Sequence, residues 1–216
     1  MRAALDKVRE APASTKARIL AAAEEVFAAK GFAGASTRDI AATAHVNISS
    51  LHYHWESKET LYVAVFQDIY DRILDLVRRS IPPALGPGQS GRAVVDAAVG
   101  ALFDFFADHP TVPKLLVRRL LENDGGRVDI ERDVLVPAWR VFAGWTRALS
   151  GRRLQDIEWQ LFMLTVHNVM LLFLLDSRHF TSLLGGSVRQ PDVRRRVRTH
   201  IINLVHTLLA RDAHGQ

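Results

Sequence analysis

Three residues, His45-Val46-Asn47, separate two helical runs of about two turns each, Thr37 to Ala44 and Ile48 to His54. A longer run precedes them, from about Thr15 to Lys30, and another follows, from about Lys58 to Ser80, ending before Pro82-Pro83. Short helices joined by so tight a turn have helix-turn-helix spacing, a motif whose second helix lies in the major groove of a duplex. The boundaries are written in the residues. Ile19, Ala23, Val26 and Phe27 recur on one face of the first run, and Gly31 follows its end, where a left-handed cap favours a residue without Cβ. Ser36 offers a capping hydroxyl, with Asp39 three residues on, close to the capping-box pattern. Ser57 does the same for the long helix, with Thr60 three positions later.

The rest of the chain also reads as helical. Alanine is abundant, β-branched runs are short, and no segment alternates for long with period two. Helices are predicted at about 90–108, 111–123, 128–149, 154–176 and 192–211, punctuated by His109-Pro110, Gly125-Gly126, Ser150-Gly151 and Gly185-Gly186. The expected fold is all-α: a flexible arm over 1–14, a three-helix domain with the helix-turn-helix over 15–61, and a larger helical domain over 62–216. Pro82 to Gly91 is dense in Pro and Gly and reads as a linker. Within it Gly86 to Gly91 formally matches G-x-G-x-x-G, but no strand precedes it and Pro87 falls inside it, so nucleotide binding is not expected.

Composition excludes several classes. With 48% apolar and 24% charged residues in 216, the chain has material for a core and lacks the profile of a disordered protein. It has no cysteine, hence no disulfide, thiolate zinc site or cysteine nucleophile, which fits a reducing, cytoplasmic setting. Its first residues contain no apolar stretch of the kind an export signal needs. The most apolar run, Leu161 to Leu175, is shorter than the roughly 20 residues of a membrane span and carries His167 and Asn168, so a buried helix and no membrane partner are expected. His52 and His54 stand two apart and point in different directions on a helix, and no two histidines have the i,i+3 or i,i+4 spacing of a metal pair. No metal or cofactor is expected. No nucleophile–base set or pair of carboxylates stands out, so an enzyme is not expected either.

The net charge of +5 does not by itself locate a DNA-binding face. Residues 1–61 hold eight Lys and Arg against seven Asp and Glu, and the rest of the surplus lies further on, partly in the run from Arg194 to Arg198, read as the solvated face of an amphipathic helix. The case rests on particular side chains. On the 48–54 helix Ile48 and Leu51 can face inward, while Asn47, Ser49, Ser50, His52, Tyr53 and His54 offer polar edges outward. Ser49 and Ser50 are small enough to let the backbone approach bases; Asn and Ser can bond base edges or phosphates, and Tyr and His can reach backbone oxygens. The helix starts at Ser36-Thr37 and Ser57-Lys58 present unpaired N–H groups and a positive dipole end to phosphates, with Arg38 and Lys58 adding charge.

The stretch TKARILAAAEEVFAAKGFAGASTRDIAATAHVNISSLHYHWESKETL, residues 15–61, resembles the N-terminal domain of the TetR family of transcriptional regulators. The resemblance is carried by Gly31-Phe32, the hydroxyls of Ser36 and Thr37, the core Arg38-Asp39-Ile40-Ala41-Ala42, and a reading helix ending in aromatics before Ser57-Lys58-Glu59. It implies that Ser36 or Thr37 and Lys58 clamp phosphates, that Ser49, Ser50, His52, Tyr53 and His54 face DNA, and that Leu51 and Trp55 pack in the core. Two positions depart from the pattern. His45 stands where Gly is usual, which asks it to take a glycine-like conformation. Ile48 stands where Lys is common, and either touches a thymine methyl or is buried.

For the remainder the resemblance implies a homodimer formed through the helices at about 154–176 and 192–211, and a small-molecule effector enclosed by the middle helices. The sequence is consistent. Val197, Ile201, Val205 and Leu208 recur at helical spacing, and the 154–176 helix is apolar nearly all round. Phe103, Phe106, Trp139, Phe142, Met163, His167 and Met170 are the candidate ligand-facing side chains. The expectation is a repressor released from a palindromic double-stranded DNA operator by an apolar or amphipathic small molecule.

Overall fold

The computed structural model describes Leu5 and residues 8–80, 91–122, 128–141, 156–176 and 178–211. Regular structure among them is helical: α1 (Thr15–Gly34), α2 (Thr37–Thr43), α3 (Ile48–His54), α4 (Lys58–Ser80), α5 (Gly91–Asp108), α6 (Thr111–Leu121), α7 (130–141), α8 (Asp156–Leu174), α9 (Arg178–Leu184) and α10 (Pro191–Arg211). The bounds of α3 and α4 are those the sequence predicts. Most of the linker over Pro82–Gly91, the Gly125-Gly126 and Ser150-Gly151 breaks, and Phe142 lie outside the described residues. No single helix among the described residues is long and apolar enough to cross a membrane.

Two elements differ from expectation. The start of α7, Glu131–Leu135, is wound as π-helix, with Val134 turned into the core. The short α9 was not predicted; seven residues, RHFTSLL, give too little periodicity to register. It is ended by Gly185 at φ 73°, with the Gly186 N–H reaching back to the Thr181 carbonyl at 2.9 Å.

The chain divides into two compact units, Met1–Arg72 with Lys114–Ala138, and Ile73–Pro113 with Trp139–Gln216. Packing therefore draws a line other than the functional division expected at residue 61, because Lys114–Ala138 joins the first unit. The core of that unit is built from Ile19, Phe27, Ile40, Leu51, Leu61, Phe66 and Ile69, with Leu115 and Ile130 from the later segment. Tyr62 is its hub. The ring centroids of Phe27, Phe32 and Phe66 lie 4.8, 4.9 and 4.9 Å from its own, in edge-on or tilted arrangements that suit aromatic quadrupoles.

Of the arm expected to be flexible over 1–14, Leu5 and residues 8–14 are described, and several of them are held in place. Leu5 is fully buried, Val8 nearly so, and Arg9 pairs with Asp71 at 3.0 Å and Asp68 at 3.4 Å. Two apolar side chains at i,i+3 anchor it, which an alternation of charges conceals in the sequence. A cavity of about 370 Å³ lies beside it, lined by Val8, Pro12, Leu20 and Val65 among others.

In the second unit α10 packs on α5 and α8, and α5 on α8. Val197, Ile201 and Val205 supply the buried face of α10, and Phe103, Phe106, Met170, Leu171 and Leu174 are among the buried side chains of α5 and α8. The arginine run is only partly a solvated face. Arg195 and Arg196 are exposed, but Arg194 reaches Asp104 at 2.9 Å and Asp108 at 2.6 Å, and Arg198 reaches Asp104 at 3.1 Å. These pairs clip α10 to α5, and the Arg198 guanidinium lies where a side chain on Gly100 would otherwise stand.

Candidate nucleic-acid interface

The reading head is assembled from local signals. α1 ends where Gly31 takes φ 73° and ψ 177°, a region nearly closed to residues with Cβ, after which the chain makes one further helical turn to Gly34. Ser36 then closes a full capping box. Its hydroxyl accepts the Asp39 N–H at 3.1 Å, while Asp39 Oδ2 accepts the Ser36 N–H at 3.1 Å and its O–H at 2.7 Å. The hydrogen bond from Lys30 at 2.8 Å, with those from Ser36, holds the Asp39 carboxyl down at about 2. The turn to α3 runs through His45 at φ 53°, the glycine-like conformation expected there.

Asn47 has a role that the sequence did not disclose. Its Oδ1 accepts the Ser50 N–H at 2.7 Å and caps α3. Leu51 is fully buried and Trp55 nearly so, with the Lys16 ammonium 4.8 Å from the Trp55 ring. The opposite face of α3 is open. Ser49 and His52 are exposed, Ser50 and His54 are partly covered, and Tyr53 is 85% exposed with its ring edge-on to His54 at 5.1 Å. Ile48, left open between groove and core, is on the outside at 38% exposure.

The residues expected on phosphates are differently occupied in the free chain. The Ser36 hydroxyl is spent on its cap, and the start of α2 already carries the Asp39 carboxylate. Arg38 stays exposed and Thr37 is half-buried. The Lys58 ammonium, expected to face a phosphate, donates to the carbonyls of Phe32 at 2.9 Å and Ala35 at 3.0 Å and sits 4.4 Å from the Phe32 ring centroid. Two of its three N–H groups thus tie α4 to the end of α1.

Residues from Lys114–Ala138 complete that joint, which no local pattern could reveal at a separation of about ninety positions. Arg118 donates to the carbonyls of Ala28 at 3.3 Å and Ala29 at 3.0 Å, the last turn of α1 before the kink. Glu122 accepts the Phe32 N–H at 3.1 Å and also pairs with Arg118 at 3.4 Å. A side chain at Gly31 would run into the Glu122 carboxylate. Gly31 is required for its dihedrals, and a Cβ there would also push the Glu122 carboxylate, the end of a flexible side chain, off the Phe32 N–H.

Residues 19–65 match the family model of bacterial regulatory proteins of the tetR family. Over 147 residues the chain is 31% identical to the HTH-type transcriptional repressor Rv3405c of Mycobacterium tuberculosis, a match spanning 62% of this chain and 77% of that protein. This chain belongs to the TetR family. It is also 36% identical over 109 residues to the HTH-type transcriptional activator FasR of Mycolicibacterium smegmatis, covering half of this chain but only 46% of that protein. Among solved structures, the TetR-like fold is shared along nearly the whole chain. A TetR-like regulator from Rhodococcus superposes with a TM-score of 0.65 at 19% identity, over 94% of this chain and 97% of that one. The fatty acid degradation regulator FadR from Bacillus halodurans does so with 0.65 at 15%, over 88% and 94%. As a TetR-family member the chain is a DNA-binding transcriptional regulator and not an enzyme.

Of the ligand-facing candidates, the second unit brings three together. The His167 ring meets those of Trp139 and Phe106 edge-on, at centroid distances of 5.6 and 6.4 Å. Burial pulls the His167 imidazole down to about 4, so it stays neutral at ordinary pH. Phe103 and Met170 are buried, Met163 is half-buried, and Phe142 lies outside the described residues. Among the described residues no three His, Asp or Glu side chains gather as a metal site.

Proposed function

We propose that the chain acts as a homodimeric, cytoplasmic repressor that binds a pseudo-palindromic operator through two copies of α3 in successive major grooves. The observation that carries this reading is the sidedness of α3. Leu51 is sealed in the core, while Ser49, His52 and Tyr53 stand in solvent with no packing task. Ser49, Ser50, His52, Tyr53 and His54 are the groove-facing set, with Thr37, Arg38 and the remaining N–H of Lys58 on phosphates. Ser36 and Asn47 act one step back, as caps that hold α2 and α3 in shape.

The division of labour follows: residues 15–61 read DNA, and 62–216 dimerise and take the effector. An apolar face on α8 supports the dimer. Ile157, Leu161, Leu164 and Leu172 are between 46% and 59% exposed in the single chain, an arrangement suited to helix-on-helix packing against a second copy. The rings around His167 support an apolar or amphipathic effector. One structure of this fold, FadR from Bacillus subtilis, is in complex with stearoyl-CoA, with a TM-score of 0.62 at 13% identity. Release from DNA requires the effector to favour one spacing of the two reading heads over the other.

Selection of duplexes from a random pool by the purified protein tests the reading. The expected products carry inverted half-sites about one helical turn apart and bind two chains per duplex by light scattering. Stearoyl-CoA, added as a probe of the amphipathic class, is expected to lower that affinity. Asymmetric sites bound by one chain would overturn the dimeric reading, and no response to acyl-CoAs or to apolar ligands of a range of sizes would overturn the effector class.

A further inference from the structure

The reading helix lacks the usual tools for hydrogen-bonded base readout. Ile48-Ser49-Ser50-Leu51-His52-Tyr53-His54 contains no Arg or Lys to grip guanine and no Asn or Gln to pair with adenine. Asn47, just before it, spends its Oδ1 on the Ser50 N–H, which removes the acceptor half of a bidentate amide contact. What α3 does offer is apolar surface. Among the described residues up to Arg72, the exposed large hydrophobic side chains are Ile48, at 38%, and Tyr53, at 85%, and both lie on this helix. The same unit buries Ile19, Ile40 and Ile69 completely, so an outward isoleucine is not a shortage of core. Ile48 opens α3 one turn ahead of exposed His52 and beside exposed Ser49, at the end of a reading helix that enters the groove. Its branched Cβ leaves little rotamer freedom to lose on contact.

We propose that Ile48 is a specificity-determining residue that reads the C5 methyl group of a thymine in the major groove. The inference rests on α3 being the groove helix. The methyl is the one apolar feature the groove presents, and it marks thymine alone among the ordinary bases. Removing one methyl-sized apolar contact from water favours binding by about four-fold per half-site.

The test uses the full chain and its selected duplex, with thymines replaced one position at a time by deoxyuracil. That replacement deletes the methyl and leaves every hydrogen-bonding edge intact. Fluorescence anisotropy of the wild type is expected to show about four-fold weaker binding for uracil at one position in each half-site. Ile48→Ala, which removes the contact from both half-sites, should bind the thymine duplex about as weakly as the wild type binds one with uracil in both half-sites, about 16-fold down, and be indifferent to the replacement, closing a double-mutant cycle. Ile48→Val should keep part of the methyl effect, and an unchanged melting temperature for both variants shows the fold intact. Wild-type binding that ignores uracil everywhere would overturn the proposal. So would an Ile48→Ala variant with the full methyl effect, which would assign the methyl to another side chain such as Tyr53. Failure to select any duplex is a different result, since it would remove the groove-helix reading and the methyl contact with it.

Discussion

Single side chains in the helix-turn-helix brace the fold or are candidates to meet DNA, and Lys58 is both. Its ammonium satisfies the Phe32 and Ala35 carbonyls, contacts that charge-assisted hydrogen bonding makes worth roughly 1–2 kcal/mol in a half-covered site. Lys58→Met keeps the apolar stem and removes the charge. It is expected to lower the melting temperature by a few degrees and to weaken binding to all duplexes alike. The slope of log affinity against log salt should drop by about one if the third N–H meets a phosphate. An unchanged slope in a salt-series titration would leave Lys58 as a brace alone. The sequence suggested the phosphate role and hid the bracing one, because Phe32 and Ala35 stand more than twenty positions before Lys58. Asn47 was hidden differently. A polar residue before a helix fits a cap and a groove contact equally well, and only the 2.7 Å bond to Ser50 separates them.

Whole elements were legible where their signals are local. Ser36 with Asp39, and Ser57 with Thr60, fix helix starts within a single turn, so α2 and α4 were set nearly to the residue. Contacts over long separations were not legible. Arg118 and Glu122 on α1, and Arg194 and Arg198 on Asp104, join residues about ninety positions apart, and no pattern in either partner announces the other. The α1 joint makes a firm prediction. Gly31→Ala forces a Cβ into dihedrals nearly reserved for glycine, at a cost of about 1–3 kcal/mol, and displaces the mobile Glu122 carboxylate besides. Chemical denaturation should show that loss. Glu122→Gln, which keeps a carbonyl acceptor for the Phe32 N–H, should cost no more than about 1.5 kcal/mol. A Gly31→Ala variant as stable as wild type would contradict the joint.

Across the molecule, the candidate ligand-facing side chains were legible as residue types but not as a group. Helical spacing could not tell that Trp139 and Phe106 meet at His167. That cluster gives the second unit a pH signature. His167 is held at about 4, below the ordinary 6.5, so between those values the unfolded chain binds more protons than the folded one. Stability is therefore complete above about pH 6.5 and falls as pH drops toward 4. Thermal melts across that window should show the wild type losing stability on acidification, with part of the slope absent in His167→Leu. Equal slopes would show that the imidazole is not held neutral.

The central claim is that the open face of α3 is what meets DNA, and one comparison tests it most directly. The His52→Ala/Tyr53→Ala double variant alters only exposed side chains, so its melting curve should overlay that of the wild type to within about 0.5 kcal/mol. Anisotropy on the selected duplex should then show its affinity reduced by about 30-fold or more, the loss of at least two groove contacts. An affinity equal to wild type, with the fold intact, would mean that DNA is read by some other surface.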